Sequence, residues 1–174
     1  MTIRKDVVQI NPNLVVDDYY VYEQGNVALI VPMLKSGKLC MVRQYKHASK
    51  DIVIEFPAGF IDTGETSLSA GIRELHEETG LKSSRIEPLQ DIIDSPSKIQ
   101  GKISAFIAYE CEHAPDQENH QDLNENIETL ELTVNEIVDM IKTGTINTAS
   151  TITAFYAALQ VLNQIEIKPL PSSQ

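Results

Sequence analysis

Residues 59 to 81 read GFIDTGETSLSAGIRELHEETGL, and they confine the chain more than any other stretch. Arg73-Glu74-Leu75-His76-Glu77-Glu78 puts three carboxylates at i, i+3 and i+4, with Gly80 just beyond. On a helix of about 3.6 residues per turn, these offsets bring Glu74, Glu77 and Glu78 to one face. Like charges so spaced repel, each pair weakening an isolated helix by about 0.2–0.5 kcal/mol. A fold that keeps all three needs a cation at that face; a solvated acidic surface is the plainer alternative.

Local signals place the helix. Leu68, Ile72, Leu75 and Thr79 follow the i, i+4, i+7, i+11 rhythm of a buried stripe, and Gly80 suits a left-handed helix end. Thr66 or Ser67 supplies the N-cap. Glu74 and Glu78 lie close together off the centre of that stripe, so they border the core. Upstream, the β-branched and apolar run Asp51 to Phe56 predicts a strand ending at Pro57-Ala58-Gly59. The unit is therefore strand, Gly-containing loop, helix. Hard divalent cations take oxygen ligands, and Mg²⁺ takes one or two carboxylates plus water and phosphate oxygens, which clustered carboxylates beside such a loop can supply.

Elsewhere, Val15–Tyr22, Asn26–Leu34 and Lys38–Tyr45 read as strands, as do Ile86–Ile93 and Ile103–Tyr109. Residues 110–131 carry eight acids and no Lys or Arg, and predict a loop closing in a short strand near Ile127–Leu132. Thr133 and Glu136 form a capping-box pattern for a helix stopped by Gly144. Ile152, Phe155, Leu159 and Leu162 define a last helix, so the C-terminal helices span about 133–165, and Pro169 onward is a tail. This order predicts one α/β domain over residues 1–174, with helices packed on a mixed sheet and N-terminal strands over about 1–24.

A hydrophobic content of 42% in 174 residues is enough for a full core. The formal net charge of −11 argues against a nucleic-acid partner, although metal can carry a polyphosphate into an acidic site. Cys40 and Cys111 make no disulfide framework, and Cys40 sits in an apolar run typical of a core. The start lacks a signal peptide and no run is long enough to span a membrane, so a cytoplasmic protein is expected. His47, His76, His113 and His120 show no zinc-like spacing with the cysteines.

Gly59, Glu65, Arg73, Glu74, Leu75, Glu77, Glu78, Gly80 and Leu81 resemble the Nudix box, G-x5-E-x7-R-E-U-x-E-E-x-G-U with U aliphatic, and miss no position. Val42-Arg-Gln-Tyr45, Glu55-Phe-Pro-Ala-Gly59, Pro96 fifteen residues past Leu81, and Met140-Ile-Lys-Thr-Gly-Thr-Ile-Asn147 look like the ADP-ribose pyrophosphatase branch of that family. The resemblance implies a Nudix-type α/β/α sandwich preceded by an N-terminal antiparallel strand region. It implies Mg²⁺-dependent hydrolysis of a nucleoside diphosphate sugar, with Mn²⁺ as a substitute, and ADP-ribose giving AMP and ribose 5-phosphate. A GDP-sugar or dinucleotide is the alternative substrate, and a catalytically silent nucleotide sensor the alternative of another class. It also implies a homodimer with its N-terminal strands packed or exchanged across the interface.

By the same resemblance, Glu74 and Glu78 are the main metal ligands, with Glu77 direct or through water and the Ala58 carbonyl as a backbone ligand. Arg73 orients a glutamate, and Glu65 caps or anchors the loop or serves the metal at one remove. Glu77, Glu78 and Glu125 are the catalytic carboxylates. Glu125 comes from the acidic loop as a general base, with Glu118, Asp122 and Glu128 as competitors. Arg43, Lys46, Glu55 and Pro96 are expected to bind substrate, and Tyr19, Tyr20 and Tyr22 either stack a base or simply face a strand surface. The chain departs from the branch twice: Ser97 and Gly101 replace a Gly and a Glu, and Lys46 replaces an Arg. Lys46 keeps a positive charge but loses the planar fork.

Overall fold

The computed structural model describes residues 2–114 and 127–164. In chain order the elements are β1 (Thr2–Asn11), β2 (Leu14–Glu23), β3 (Val27–Leu34), β4 (Leu39–Lys46), β5 (Asp51–Glu55) and β6 (Ala58–Phe60). Helix α1 (Ser67–Thr79) follows, then β7 (Leu81–Lys82), β8 (Arg85–Ile92), β9 (Ile99–Gln100) and β10 (Ile103–His113). The described chain closes with β11 (Glu128–Leu132), α2 (Val134–Lys142) and α3 (Ala149–Val161). The larger sheet runs β11-β4-β3-β10-β7, with β5 on β4, β6 on β3 and β8 on β10. Only β3 and β10 pair in parallel within it, so the sheet is mixed as expected.

Alternation along the central strands divides the core into two layers. Leu29 and Val31, Leu39 and Met41, and Ala105 and Ile107 pack with Ile137 of α2 and with Ala154, Phe155, Ala158 and Leu159 of α3. The intervening Ile30, Cys40, Phe106 and Ala108 pack with Leu75 of α1 on the other face. Each strand therefore buries both faces, which is why these runs are nearly continuous in apolar residues. The result is an α/β/α sandwich. Both cysteines are free and buried in the α1 layer, and burial pushes the Cys40 thiol up to about 12.

Helix α1 starts at Thr66, whose hydroxyl accepts from the Ser69 N–H while the Ser69 side chain accepts in return from the Thr66 N–H. It ends at Gly80, with φ 69°. The buried face differs from the predicted stripe. Ala70, Gly71, Glu74, Leu75, Glu78 and Thr79 are buried, whereas Leu68 and Ile72 are exposed. The small residues explain the rotation: a Cβ on Gly71 would sit 3.5 Å from the Phe106 ring, so the helix lies close to the sheet along Ala70 and Gly71. A second difference is β6, because Ala58–Phe60, expected as loop, pairs with Val27–Leu29 of β3.

The N-terminal strands form a separate three-stranded sheet, β1-β2-β9, with β1 and β2 antiparallel. It joins the larger sheet where the chain passes Gly25 and again where it passes Gly101. Here the N–H groups of Tyr22, Gln24 and Val27 donate to the carbonyls of Lys98, Gln100 and Lys102. Gly101 has φ 152°, and a Cβ there would lie 3.0 Å from the Gln24 carbonyl oxygen and 3.2 Å from that of Gly25. The glutamate expected at this position has no room, which accounts for one departure from the branch. We predict that Gly101→Ala lowers unfolding free energy by about 1–3 kcal/mol, from backbone strain and the close carbonyls. Urea denaturation checks this, and an unchanged midpoint would refute it.

Candidate active site

The rotation of α1 has a chemical consequence. Glu74 and Glu78 follow Ala70 at successive four-residue steps, so both carboxylates enter the buried face, at 8% and 7% exposure. They meet the backbone of β6, where the Ala58 N–H donates to Glu78 Oε2 at 3.2 Å. Two buried acids side by side are costly to ionise. Burial, followed by the charge of Glu74, pushes the Glu78 carboxyl up to about 8, while Lys46 and the Ala58 N–H pull it down.

Gly59 makes this approach possible. A Cβ at that residue would lie 1.9 Å from Glu74 Oε1, inside the carboxylate. The glycine therefore admits close packing of the Glu74 side chain on the backbone of β6, where the sequence predicted a loop. Its φ is not among the positive ones.

Arg73 organises the remaining acids. Its Nε and Nη2 donate to the two oxygens of Glu65, each at 3.2 Å. Nη1 donates to Glu74 Oε1 at 2.6 Å and to Glu77 Oε2 at 2.9 Å, and Nη2 also reaches the Phe60 carbonyl at 3.0 Å. The guanidinium stays firmly protonated, chiefly through Glu65, and Glu65 in turn is held below the usual carboxylate range by Arg73. Glu65 also accepts from the Asp62 N–H at 3.2 Å, so it anchors the loop ahead of α1.

A basic group arrives from β4. Alternation puts Val42, Gln44 and Lys46 on the α1 side of the sheet, and Arg43 and Tyr45 on the other. Lys46 Nζ lies 2.9 Å from Glu55 Oε1, and Gln44 Nε2 donates to the same oxygen at 3.1 Å. Lys46 and Glu55 thus join Ala58, Glu74, Glu77 and Glu78 at one site. Arg43 does not follow them, because an offset of three residues on a strand reverses the face; it pairs instead with Glu128 of β11 at 2.8 Å. The turn bearing Pro96 is tied to the N-terminal sheet, where the Tyr19 hydroxyl donates to the Ser97 carbonyl at 2.6 Å. Glu125, Glu118 and Asp122 lie outside the described residues. Gln44 is the residue that sequence reasoning missed, although its i, i+2 spacing from Lys46 on a strand carried the signal.

The donor set suits a hard divalent cation: three carboxylates and the Ala58 carbonyl, all oxygen, with two of the acids buried together. Among the described residues, no three ligating side chains close on a single point, since Arg73 draws Glu74 and Glu77 to itself. We predict that Gly59→Ala, which forces the Glu74 carboxylate aside while leaving the core intact, lowers turnover at least about tenfold. Steady-state kinetics alongside circular dichroism would check this, and full activity would show that Glu74 does not need its place against Gly59.

Comparison with known proteins supplies the family and the fold. The model of the NUDIX domain matches residues 24–155. The chain is 26% identical over 127 residues to an ADP-ribose pyrophosphatase from Bacillus subtilis, covering 73% of this chain and 68% of that protein. It is 32% identical over 139 residues to a methanol dehydrogenase activator from Bacillus methanolicus, covering 78% and 73%. It is 30% identical over 139 residues to a GDP-mannose pyrophosphatase from Shigella flexneri, covering 76% and 72%. The crystal structure of an ADP compounds hydrolase superposes with a TM-score of 0.74, covering 94% of this chain and 93% of its own at 18% identity, and so shares the fold. With the box intact on α1 and the domain match spanning both sheet faces, the chain belongs to the Nudix family, and it is a Nudix pyrophosphohydrolase.

Proposed function

We propose that the chain hydrolyses the pyrophosphate bond of a nucleoside diphosphate sugar, with ADP-ribose giving AMP and ribose 5-phosphate, as a cytoplasmic Mg²⁺-dependent enzyme. The observation that carries this reading is the buried Glu74–Glu78 pair set against the Ala58–Gly59 backbone, with the Lys46 ammonium beside it. Glu74, Glu77, Glu78 and the Ala58 carbonyl would hold the cation. When bound, such a cation neutralises phosphate charge and lowers the pKa of a water. Lys46 meets a non-bridging phosphate oxygen, and Arg73 keeps Glu74 and Glu77 aimed at the site. Water adds to one phosphorus, the bridging P–O bond breaks, and a carboxylate takes the proton of the water. Glu125 is the base that the resemblance suggests; Glu128, the competitor within the described residues, is paired with Arg43.

A GDP-sugar or dinucleotide is the second reading, favoured by Lys46, Ser97 and Gly101, the positions where the chain leaves the ADP-ribose branch. Product chromatography on ADP-ribose, GDP-mannose, dinucleoside polyphosphates and NADH with Mg²⁺ separates the two. AMP release from ADP-ribose is expected, and Glu78→Gln should cut turnover by at least about two orders of magnitude without unfolding the chain. Near-normal activity of that variant would sink the ligand assignment. Tight nucleotide binding with no product from the wild type would instead indicate a sensor.

We also propose a homodimer built on the N-terminal sheet. This sheet lies outside the matched domain apart from its last strand, and it exposes Ile3, Val7, Val15 and Tyr20, with Val7 at 72%. So much apolar surface on one small sheet marks a contact face. Sedimentation velocity should give a dimer for the wild type and a monomer for Val7→Asp; a wild-type monomer at micromolar concentration refutes the proposal.

A further inference from the structure

Resting on the activity proposed above, we infer that Gln44 is a positioning residue which, acting through Glu55, sets where the Lys46 ammonium meets the substrate's diphosphate. Gln44 is 6% exposed, on a strand whose preceding α1-facing positions, Cys40 and Val42, are apolar and buried. An amide in such a place destabilises the fold unless it is hydrogen-bonded, and an aliphatic side chain would fill the same space more cheaply. Its presence therefore needs a reason beyond packing.

The geometry supplies one. In the β4–β5 ladder Val42 faces Glu55, Gln44 faces Val53 and Lys46 faces Asp51, so Gln44 lies diagonally between Glu55 and Lys46 on the same face. Its Nε2 donates to Glu55 Oε1 at 3.1 Å, the oxygen that also receives Lys46 Nζ at 2.9 Å. The amide is held by its buried setting, whereas the lysine side chain is 40% exposed. A fixed donor thus pins the carboxylate, and the pinned carboxylate pins a mobile cation.

The identity of residue 46 makes this relay necessary. An arginine could hold Glu55 with one edge of its planar fork and a phosphate oxygen with another. A lysine offers a point charge on a flexible stem, with no built-in direction. Where this chain carries Lys46, direction has to come from the acceptor, and Gln44 fixes the acceptor.

The test is a double-mutant cycle of Gln44→Leu and Lys46→Met. Its readouts are steady-state kinetics on ADP-ribose with Mg²⁺, calorimetric affinity for α,β-methylene-ADP, and thermal midpoint. Gln44→Leu should raise KM and the Kd of the analogue about five- to tenfold, with kcat within about twofold and an unchanged or higher midpoint. In the Lys46→Met background the same change should add less than about twofold, since the path through the ammonium is already lost. Gln44→Met gives the same readouts should the leucine variant fold poorly. Full additivity of the two changes, or a fall in kcat at constant KM, would overturn the inference and make Gln44 a scaffold residue. If the wild type hydrolyses no nucleoside diphosphate sugar, the activity reading falls, and the binding arm of the cycle still decides the role of Gln44.

Discussion

The Arg73 guanidinium reaches Glu65, Glu74, Glu77 and the Phe60 carbonyl together, and through them it ties the loop between β6 and α1 to the helix itself. Without that cation, three of the acids that define the site would stand close to one another with little to offset their repulsion. The planar fork matters, because two parallel bonds to Glu65 leave the other edge free for the helix acids. Glu78 stands outside this set. Its counter-charges are the Ala58 N–H and Lys46, so the site has two cationic supports that arrive from opposite directions in the chain.

Those directions are set by strand alternation. The parallel pair β3–β10 forms the middle of a sheet buried on both faces, and β4 carries the alternation outward to the site. Residues 44 and 46 reach the α1 layer, while 43 and 45 reach the opposite face. A strand thus sorts neighbouring polar residues into separate chemical environments at no cost in chain length. The Arg43–Glu128 pair on the far face then serves as a clasp between β4 and β11, worth little energetically at its exposure.

Much of this was legible in the residues. The box, the Thr66 start and Gly80 end of α1, the Thr133–Glu136 box of α2 and the layered architecture all follow from local signals with short reach. Two readings failed and one residue was passed over for one reason, in that each depended on what another element does. Leu68 and Ile72 are apolar at helical spacing, yet Ala70 and Gly71 let the helix approach on their side, and small residues carry no weight in a hydrophobic pattern. Gly59 reads as a turn glycine until Glu74 is seen lying against it. Gln44 is a polar residue in an otherwise apolar strand, and only the register with β5 shows that it shares an acceptor with Lys46. Glu125 falls outside the described residues, so its expected role stands on resemblance.

The carboxyl of Glu78 finally links the fold to the surrounding solution. Its pKa is about 8 in the folded chain against an ordinary 4.5, so between those values folding takes up a proton. The sign follows directly: this group favours the folded state below the ordinary carboxylate range, and that contribution is lost as pH rises through about 8, when the buried acid must carry charge. A cation held by Glu78, as proposed above, would displace the same proton, so its binding would exchange one positive charge for another.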